Sequence, residues 1–172
     1  MKSSELESEI TGCDMEKVIF IACFLAVTVY LTVTAWEDQK SCEVTRWKHL
    51  LGGIPALIMY AMNIDRYNFW EYILVLFFAV IYVAIGYIGV YGFADGILMG
   101  VLTIFFGSIG GIAGVGIVLL IMIVAAFSFL ICHVANSIVN HNKIFLHMSG
   151  ALIPHLFAGY LAVLCIIAIS MM

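Results

Sequence analysis

Four stretches of this sequence, each about 20 residues long, contain no aspartate, glutamate, lysine or arginine. They cover residues 18–36, 72–91, 112–132 and 148–170. An apolar run of this length is sufficient for an α-helix to cross the hydrocarbon core of a bilayer. Because 65% of the residues are hydrophobic, far above the share in soluble domains, the runs predict an integral membrane protein in a lipid bilayer.

Two shorter apolar stretches lie between the long ones. Residues 49–62 include a proline, and residues 96–107 are rich in glycine. Counted as spans, they predict an all-α, polytopic transmembrane helical bundle of about six spans, although a short segment can also be re-entrant. We divide the chain into an acidic N-terminal tail, residues 1–17, and a membrane-embedded domain, residues 18–172.

The acidic charge of the chain is concentrated at its start. The formal net charge is −4, and five acidic side chains outnumber Lys2 in the first sixteen residues. This balance excludes a nucleic-acid partner. An acidic start followed by a long apolar run predicts a retained helix rather than a cleaved signal peptide. The five cysteines are scattered without a CxxC pair, so we expect neither a disulfide framework nor a zinc site.

Basic residues cluster directly after the first apolar run, at Lys40, Arg46 and Lys48. Basic residues near the ends of spans favour the cytoplasmic side of a membrane. We therefore expect this loop in the cytoplasm, both termini outside, and the chain as a multi-pass protein of the cell membrane.

Asp95 is the only formally charged residue between Glu71 and Lys143. A carboxylate in or beside hydrocarbon costs a few kcal/mol unless it is satisfied, so Asp95 is a candidate functional residue. A second carboxylate, Asp38, stands where the first apolar run ends. If both short segments cross the membrane, two complete crossings separate the two aspartates. Both are then expected at the same membrane face.

Two carboxylates within a few ångströms of each other share a proton, because both cannot ionise easily. This state suits peptide hydrolysis, in which one carboxylate takes a proton from water and the other polarises the scissile carbonyl. Asp95 opens a helix and Asp38 closes one, so the helix dipoles assign the base to Asp95 and the acid to Asp38. Taken singly, Asp38 could be a solvated loop charge, and Asp95 could cap its helix or line an ion path.

The segment Gly92-Phe93-Ala94-Asp95 resembles the GxGD motif of the type IV prepilin peptidases and the related preflagellin peptidases. These intramembrane aspartyl proteases have six spans, with one catalytic aspartate after the first span and the other in GxGD at the start of the fourth. Asp38 matches the first position and is followed six residues later by Val44, where the family usually has Asp-x5-Ile-Pro-Asn. The resemblance implies that Asp38 and Asp95 are catalytic.

The chain departs from this family at a few positions. Ala94 replaces the second glycine of GxGD, and Ile97 stands where a lysine often follows the aspartate. Thr45 and Arg46 replace Pro-Asn. The sequence lacks the insert with paired cysteines that the large bacterial members carry, so it resembles the small, peptidase-only branch.

The resemblance implies an intramembrane aspartyl endopeptidase that removes the short leader peptide of type IV prepilin-like substrates at the cytoplasmic membrane face. Such a substrate presents a basic leader that ends in glycine or another small residue, followed by an apolar helix. Water is the nucleophile, so no cofactor is implied. Because glycines repeat every fourth residue around Asp95, we expect Gly92, Ala94 and Gly96 to leave room for the substrate backbone.

Two other functions stay open. A small ion-coupled membrane transporter could bind a cation or a proton at Asp95. A catalytically inactive member of the same family could act as an assembly scaffold, since Ala94 and the missing Pro-Asn depart from the catalytic pattern.

Four histidines lie near the last apolar run, with spacings of eight, six and eight residues: His133, His141, His147 and His155. These spacings place no i, i+4 pair on one helix face, so no metal site is predicted. We expect a polar cytoplasmic loop there instead.

Overall fold

The computed structural model describes residues 2–41, 44–89, 92–139 and 152–170, and every regular element within these ranges is helical. The predicted all-α class is therefore confirmed for the described part of the chain. The elements are α1 (Lys2–Ser41), a short 3-10 turn (Arg46–Lys48), α2 (His49–Met62), α3 (Phe69–Ile88), α4 (Phe93–Val139) and α5 (Ile153–Ser170).

Within these ranges, four segments are long and apolar enough to cross a membrane: Met15–Lys40, Phe69–Ile88, Phe93–Gly110 and Ile112–Asn136. Two shorter apolar helices, His49–Met62 and Ile153–Ile169, correspond to the remaining predicted spans. The pattern agrees with about six spans. Residues 148–151, where the last span was predicted to begin, lie outside the described residues. Helix α1 continues without a break through residue 17, the predicted end of the acidic tail.

Helix α4 consists of two limbs, Phe93–Gly110 and Ile112–Asn136, which meet at Gly111. Gly111 has φ 55° and ψ −132°, and glycine reaches positive φ without the steric cost of a Cβ. Gly114 packs against the backbone of Phe106, which shows that the chain reverses direction at Gly111. Eight residues of straight helix would separate those two positions by about 12 Å. The limbs are therefore antiparallel neighbours.

Aromatic side chains fill the centre of the bundle. The ring centroid of Phe24 in α1 lies 6.1 Å from that of Phe105 in α4 and 6.5 Å from that of Tyr160 in α5. The ring of Phe106 lies 6.1 Å from Tyr160, and the Tyr160 hydroxyl is 2.8 Å from the hydroxyl oxygen of Thr28. These contacts join α1, α4 and α5.

Helix α2 begins against α1. The Tyr30 hydroxyl lies 2.7 Å from Nδ1 of His49, the first residue of α2, and both side chains are buried. Gly52, one turn later, packs directly against the ring of Tyr30. A larger residue at position 52 would collide with that ring, so glycine allows the two helices to approach closely.

The end of α1 and the starts of α4 and α5 meet at one end of the bundle, which we call the aspartate end. The opposite end contains Glu16 of α1 and Arg66 of the loop after α2, whose charged groups are 3.6 Å apart. Two helices, α2 and α3, lie between α1 and α4 in the sequence. The chain therefore returns to the aspartate end before α4 begins.

Helices α3 and α4 cross at a pair of glycines. A Cβ built on Gly96 would lie 2.9 Å from the carbonyl oxygen of Tyr82 and 3.0 Å from the Cα of Gly86. Both are backbone atoms, which cannot move aside as a flexible side chain can. The absence of side chains at both glycines therefore permits the backbones to touch.

We expect Gly96→Ala to lower the thermal stability of the protein in detergent, because the added methyl group forces α3 and α4 apart at a cost of about 1–3 kcal/mol. Gly116→Ala is the matched control, since nothing lies within 4 Å of a Cβ there. Thermal unfolding should give a lower Tm for Gly96→Ala only. Equal Tm values for the two variants would contradict the glycine contact.

A second prediction concerns the sides of the membrane. In a background without native cysteines, Gln39→Cys and Ala94→Cys should react with an impermeant thiol reagent from the same side, because both positions flank the aspartate end. Asp65→Cys, in the exposed loop between α2 and α3, should react from the other side. Labelling of positions 39 and 94 from opposite sides would show that a helix between them fails to cross.

Candidate active site

Asp38 lies in the last turn of α1 and is only 7% exposed. Its Oδ2 accepts a hydrogen bond of 3.1 Å from the backbone N–H of Ile153. Ile153 is the first residue of α5, where a helix has N–H groups without partners of its own. Asp38 therefore caps α5 from the end of α1. The alternative that Asp38 is a solvated loop charge is wrong, because the side chain is buried.

Asp95 is the third residue of α4 and is 9% exposed. Its Oδ2 accepts a hydrogen bond of 3.1 Å from the N–H of Gly92. The N–H of Gly96 donates to the carbonyl oxygen of Gly92 at 3.1 Å, which makes Gly92 the N-cap residue of the helix. An acidic side chain at the third helical position often reaches back in this way. Asp95 therefore does cap its own helix, as one alternative proposed.

The structure places both carboxylates beside the start of α5, since Asp38 binds the N–H of Ile153 and Asp95 borders the same cavity as Leu152 and Leu156. In each residue Oδ2 carries the backbone hydrogen bond, and no described residue donates a hydrogen bond to Oδ1. Within the described ranges, no lysine, arginine or histidine forms an ion pair with either side chain. Two buried carboxyl groups at the same end of the bundle repel each other when both are ionised, and a shared proton removes that repulsion.

The sequence suggested that the helix dipoles make Asp95 the base and Asp38 the acid. The helix ends in the structure do not support that assignment. Asp38 closes α1, whose dipole disfavours an anion there, but it also binds the N-terminal N–H of α5, whose dipole favours one. Asp95 lies at the N-terminus of α4. Each carboxylate therefore accepts from one helix N-terminus, and the dipoles alone assign neither role.

The three residues predicted to contact a substrate occupy different environments. Gly92 is exposed, and a Cβ on it would lie 2.8 Å from Oδ2 of Asp95. Ala94 is half-buried and packs against the core. Gly96 is buried against α3, where helix packing accounts for the glycine. Substrate contact by Gly92, Ala94 and Gly96 stays a prediction.

Glu37 holds the segment that follows Asp38. Its carboxylate lies 2.7 Å from Nζ of Lys48 and accepts a hydrogen bond of 2.7 Å from the Thr45 hydroxyl. It also accepts a longer bond of 3.4 Å from the Thr45 N–H. These contacts restrain the segment between the end of α1 and the start of α2.

No sequence pattern indicates the cavity beside Asp95. Its volume is about 90 Å³, and the described residues that line it are Asp95 and six apolar residues: Met99, Met122, Ala125, Ala126, Leu152 and Leu156. Apolar residues are so common in this chain that none of the six has a distinguishing sequence signal. The reversal at Gly111 and the start of α5 bring them to Asp95.

Two of the four histidines, His133 and His155, lie in the described part of the chain, whereas His141 and His147 lie outside it. Nδ1 of His155 is 2.9 Å from the Ser128 hydroxyl, a contact that joins α5 to the second limb of α4. Among the described residues, no group of three histidine, cysteine, aspartate or glutamate side chains could hold a metal ion.

Because the two carboxylates repel each other, Asp95→Asn should leave the folded protein as stable as wild type or more stable. Asparagine retains an oxygen that can accept the Gly92 N–H, and the loss of a charge-assisted bond, worth about 1 kcal/mol, is offset by the removal of one like charge. Asp38→Asn should behave in the same way, with exposed Asp65→Asn as the control. Thermal unfolding in detergent at neutral pH measures this, and a large fall in Tm for both variants would indicate structural caps alone.

No family model, curated protein or solved structure matches this chain. The likeness to the prepilin peptidases therefore depends on the two short motifs and on the order of the helices. The geometry of the aspartate end is independent of that likeness.

Proposed function

We propose that this chain is an intramembrane aspartyl endopeptidase that removes the short leader peptide of prepilin-like substrates at the cytoplasmic face of the cell membrane. The observation that carries the proposal is the pair of buried carboxylates, Asp38 and Asp95, which both lie beside the start of α5 at the aspartate end. Each has one oxygen bound to a backbone N–H and one to which no described residue donates. The unbound oxygens are the groups that a water molecule and a scissile carbonyl require.

The reaction uses the single proton that the pair shares. The ionised carboxylate accepts a proton from water as the water oxygen attacks the carbonyl carbon of the scissile peptide. The protonated carboxyl donates its proton to the carbonyl oxygen, so the intermediate is a neutral gem-diol. When the C–N bond breaks, the amine leaves with the proton taken from water. A diol hydroxyl then returns a proton to the other carboxylate, which restores the pair.

Burial supports this chemistry in two ways. A low local dielectric strengthens the interaction between the carboxylates and so favours the state with one shared proton. The backbone N–H groups of Gly92 and Ile153 hold each carboxyl group in place, so little reorganisation is needed when charge moves during the reaction. Both N–H groups belong to the first turns of helices, which are rigid supports.

The basic residues support a cytoplasmic position for the aspartate end. Lys40 and Lys48 lie at the aspartate end, close to Asp38 in the sequence, and basic residues favour the cytoplasmic side. A substrate whose basic leader remains in the cytoplasm and whose apolar helix enters the membrane would present its cleavage point at this depth.

We expect Asp38→Asn and Asp95→Asn each to abolish leader cleavage, because an amide preserves the shape of the side chain but cannot carry the proton cycle. Co-expression with a prepilin-like substrate, followed by mass determination of the substrate's amino terminus, measures cleavage. Asp65→Asn, an exposed aspartate at the other end of the bundle, should cleave as wild type does.

The same three variants separate the alternatives. Near-normal cleavage by either dyad variant would exclude the proposed mechanism. A proton or cation flux that requires Asp95 but tolerates Asp38→Asn would favour a transporter. A wild-type protein that cleaves no prepilin-like substrate but is required for pilus assembly would favour a scaffold.

A further inference from the structure

A cleft between α1 and α2 opens at the end of the bundle opposite the aspartates, and we call it the α1–α2 cleft. Its volume is about 400 Å³, which lies in the range of ligand-binding pockets. The described residues that line it are four charged or polar residues, Glu16, Lys17, Asn63 and Arg66, and four apolar residues, Phe20, Ile21, Met59 and Met62. Charged groups and apolar side chains therefore face the same space.

The charged residues of the cleft lie at the membrane edge, and the apolar residues lie deeper. The span in α1 begins at Met15, so Glu16 stands at its edge. Phe20 lies one helical turn further in, about 6 Å deeper along the helix. In α2, Met59 lies in the last turn and Arg66 lies beyond the end of the helix. A molecule that fits the cleft therefore needs a charged end and an apolar end, as a phospholipid has.

The charged end of the cleft contains a carboxylate and two cations. Nη2 of Arg66 and Oε2 of Glu16 are 3.6 Å apart, and each side chain is 63% exposed. That distance is longer than a hydrogen bond, so each group can bind a closer partner. The planar guanidinium of Arg66 matches the oxygens of a phosphate, and Lys17 adds a second positive charge. The Glu16 carboxylate matches an ammonium group.

A larger groove lacks this combination of charge and depth. It has a volume of about 550 Å³ and lies between α3 and the first limb of α4. None of the described residues that line it is charged. An acyl chain can lie in this groove whatever headgroup it carries, so the groove has no means of selecting a lipid. The α1–α2 cleft has both an apolar floor and charges of both signs.

We propose that the α1–α2 cleft binds a phospholipid with an ethanolamine headgroup. The phosphate contacts Arg66 and Lys17, the ammonium group contacts Glu16, and one acyl chain begins against Phe20 and Met59. A headgroup with only a negative charge would leave the Glu16 carboxylate without an opposite charge. A choline headgroup is positive, but its methyl groups replace the N–H donors that a carboxylate accepts. The site is independent of the proposed function.

The test titrates the protein in detergent with three phospholipids that have the same acyl chains and an ethanolamine, choline or glycerol headgroup. Native mass spectrometry gives the Kd of each lipid. Wild type should bind the ethanolamine lipid about fivefold more tightly than the other two, the effect of about one charged contact at an exposed site. Glycerophosphoethanolamine, which has no acyl chains, should not compete at the same concentration. Equal Kd values for the three lipids, or competition by the chain-free compound, overturn the proposal.

Two variants test the separate contacts. Glu16→Gln should weaken binding of the ethanolamine lipid and strengthen binding of the glycerol lipid, because it removes the only carboxylate among the described residues of the cleft. The preference for ethanolamine over glycerol should therefore fall by about fivefold. Arg66→Gln should weaken binding of all three lipids, because each of them carries the phosphate.

Matched controls remove the same kinds of charge elsewhere. Asp65→Asn removes an exposed carboxylate at the same end of the bundle that does not line the cleft, and Lys40→Gln removes an exposed cation at the aspartate end. Both should keep the wild-type order of the lipids. If Glu16→Gln keeps its preference, or Asp65→Asn loses it equally, the assignment to this cleft is wrong. The Tm identifies folded variants, and the headgroup order of wild type decides where a variant does not fold.

Discussion

A buried carboxylate needs hydrogen-bond donors or a positive charge nearby. In this protein two carboxylates are buried at the same end of the bundle. Asp38 and Asp95 are buried at the aspartate end, and each is satisfied in part by one N–H from the start of a helix. Hydrogen bonds of this kind fix the positions of the oxygens without removing the repulsion between the charges. The helix ends, the dyad and the adjoining pocket all depend on this arrangement.

Capping alone explains this arrangement poorly. A neutral side chain with an acceptor oxygen, such as asparagine, can accept the same N–H groups, and it places no ionisable group in an apolar interior, which is costly. Two neutral caps would therefore stabilise α4 and α5 without electrostatic repulsion. The burial of two carboxylates at one end of the bundle is the physical reason to look for chemistry there. Capping and catalysis are compatible, because they use different oxygens of the same groups.

Local sequence signals predicted most of the fold. Long apolar runs and the positions of the charges predicted the helices and the meeting of the two aspartates, because hydropathy is a local property and counting crossings needs only the order of helices. The Asp38–Ile153 hydrogen bond joins residues 115 positions apart, and no local pattern indicates it. The cavity beside Asp95 has no sequence signal for the same reason, since the apolar residues that line it resemble the rest of the chain. The start of α5 also lies against Asp38, so the helix dipoles do not assign the acid and the base.

Because the chain reverses at Gly111, the number of residues in each limb of α4 determines which residues of the two limbs lie opposite each other. Asp95 and Ala126 stand sixteen and fifteen residues from Gly111 on either side, and Met99 and Met122 stand twelve and eleven. One inserted residue in either limb would advance every later position by about 1.5 Å and rotate it by about 100° around the helix axis. Asp95 would then face a different set of neighbours although no residue near it had changed. The lengths of the two limbs are therefore coupled, and a tolerated insertion in one would require a compensating insertion in the other.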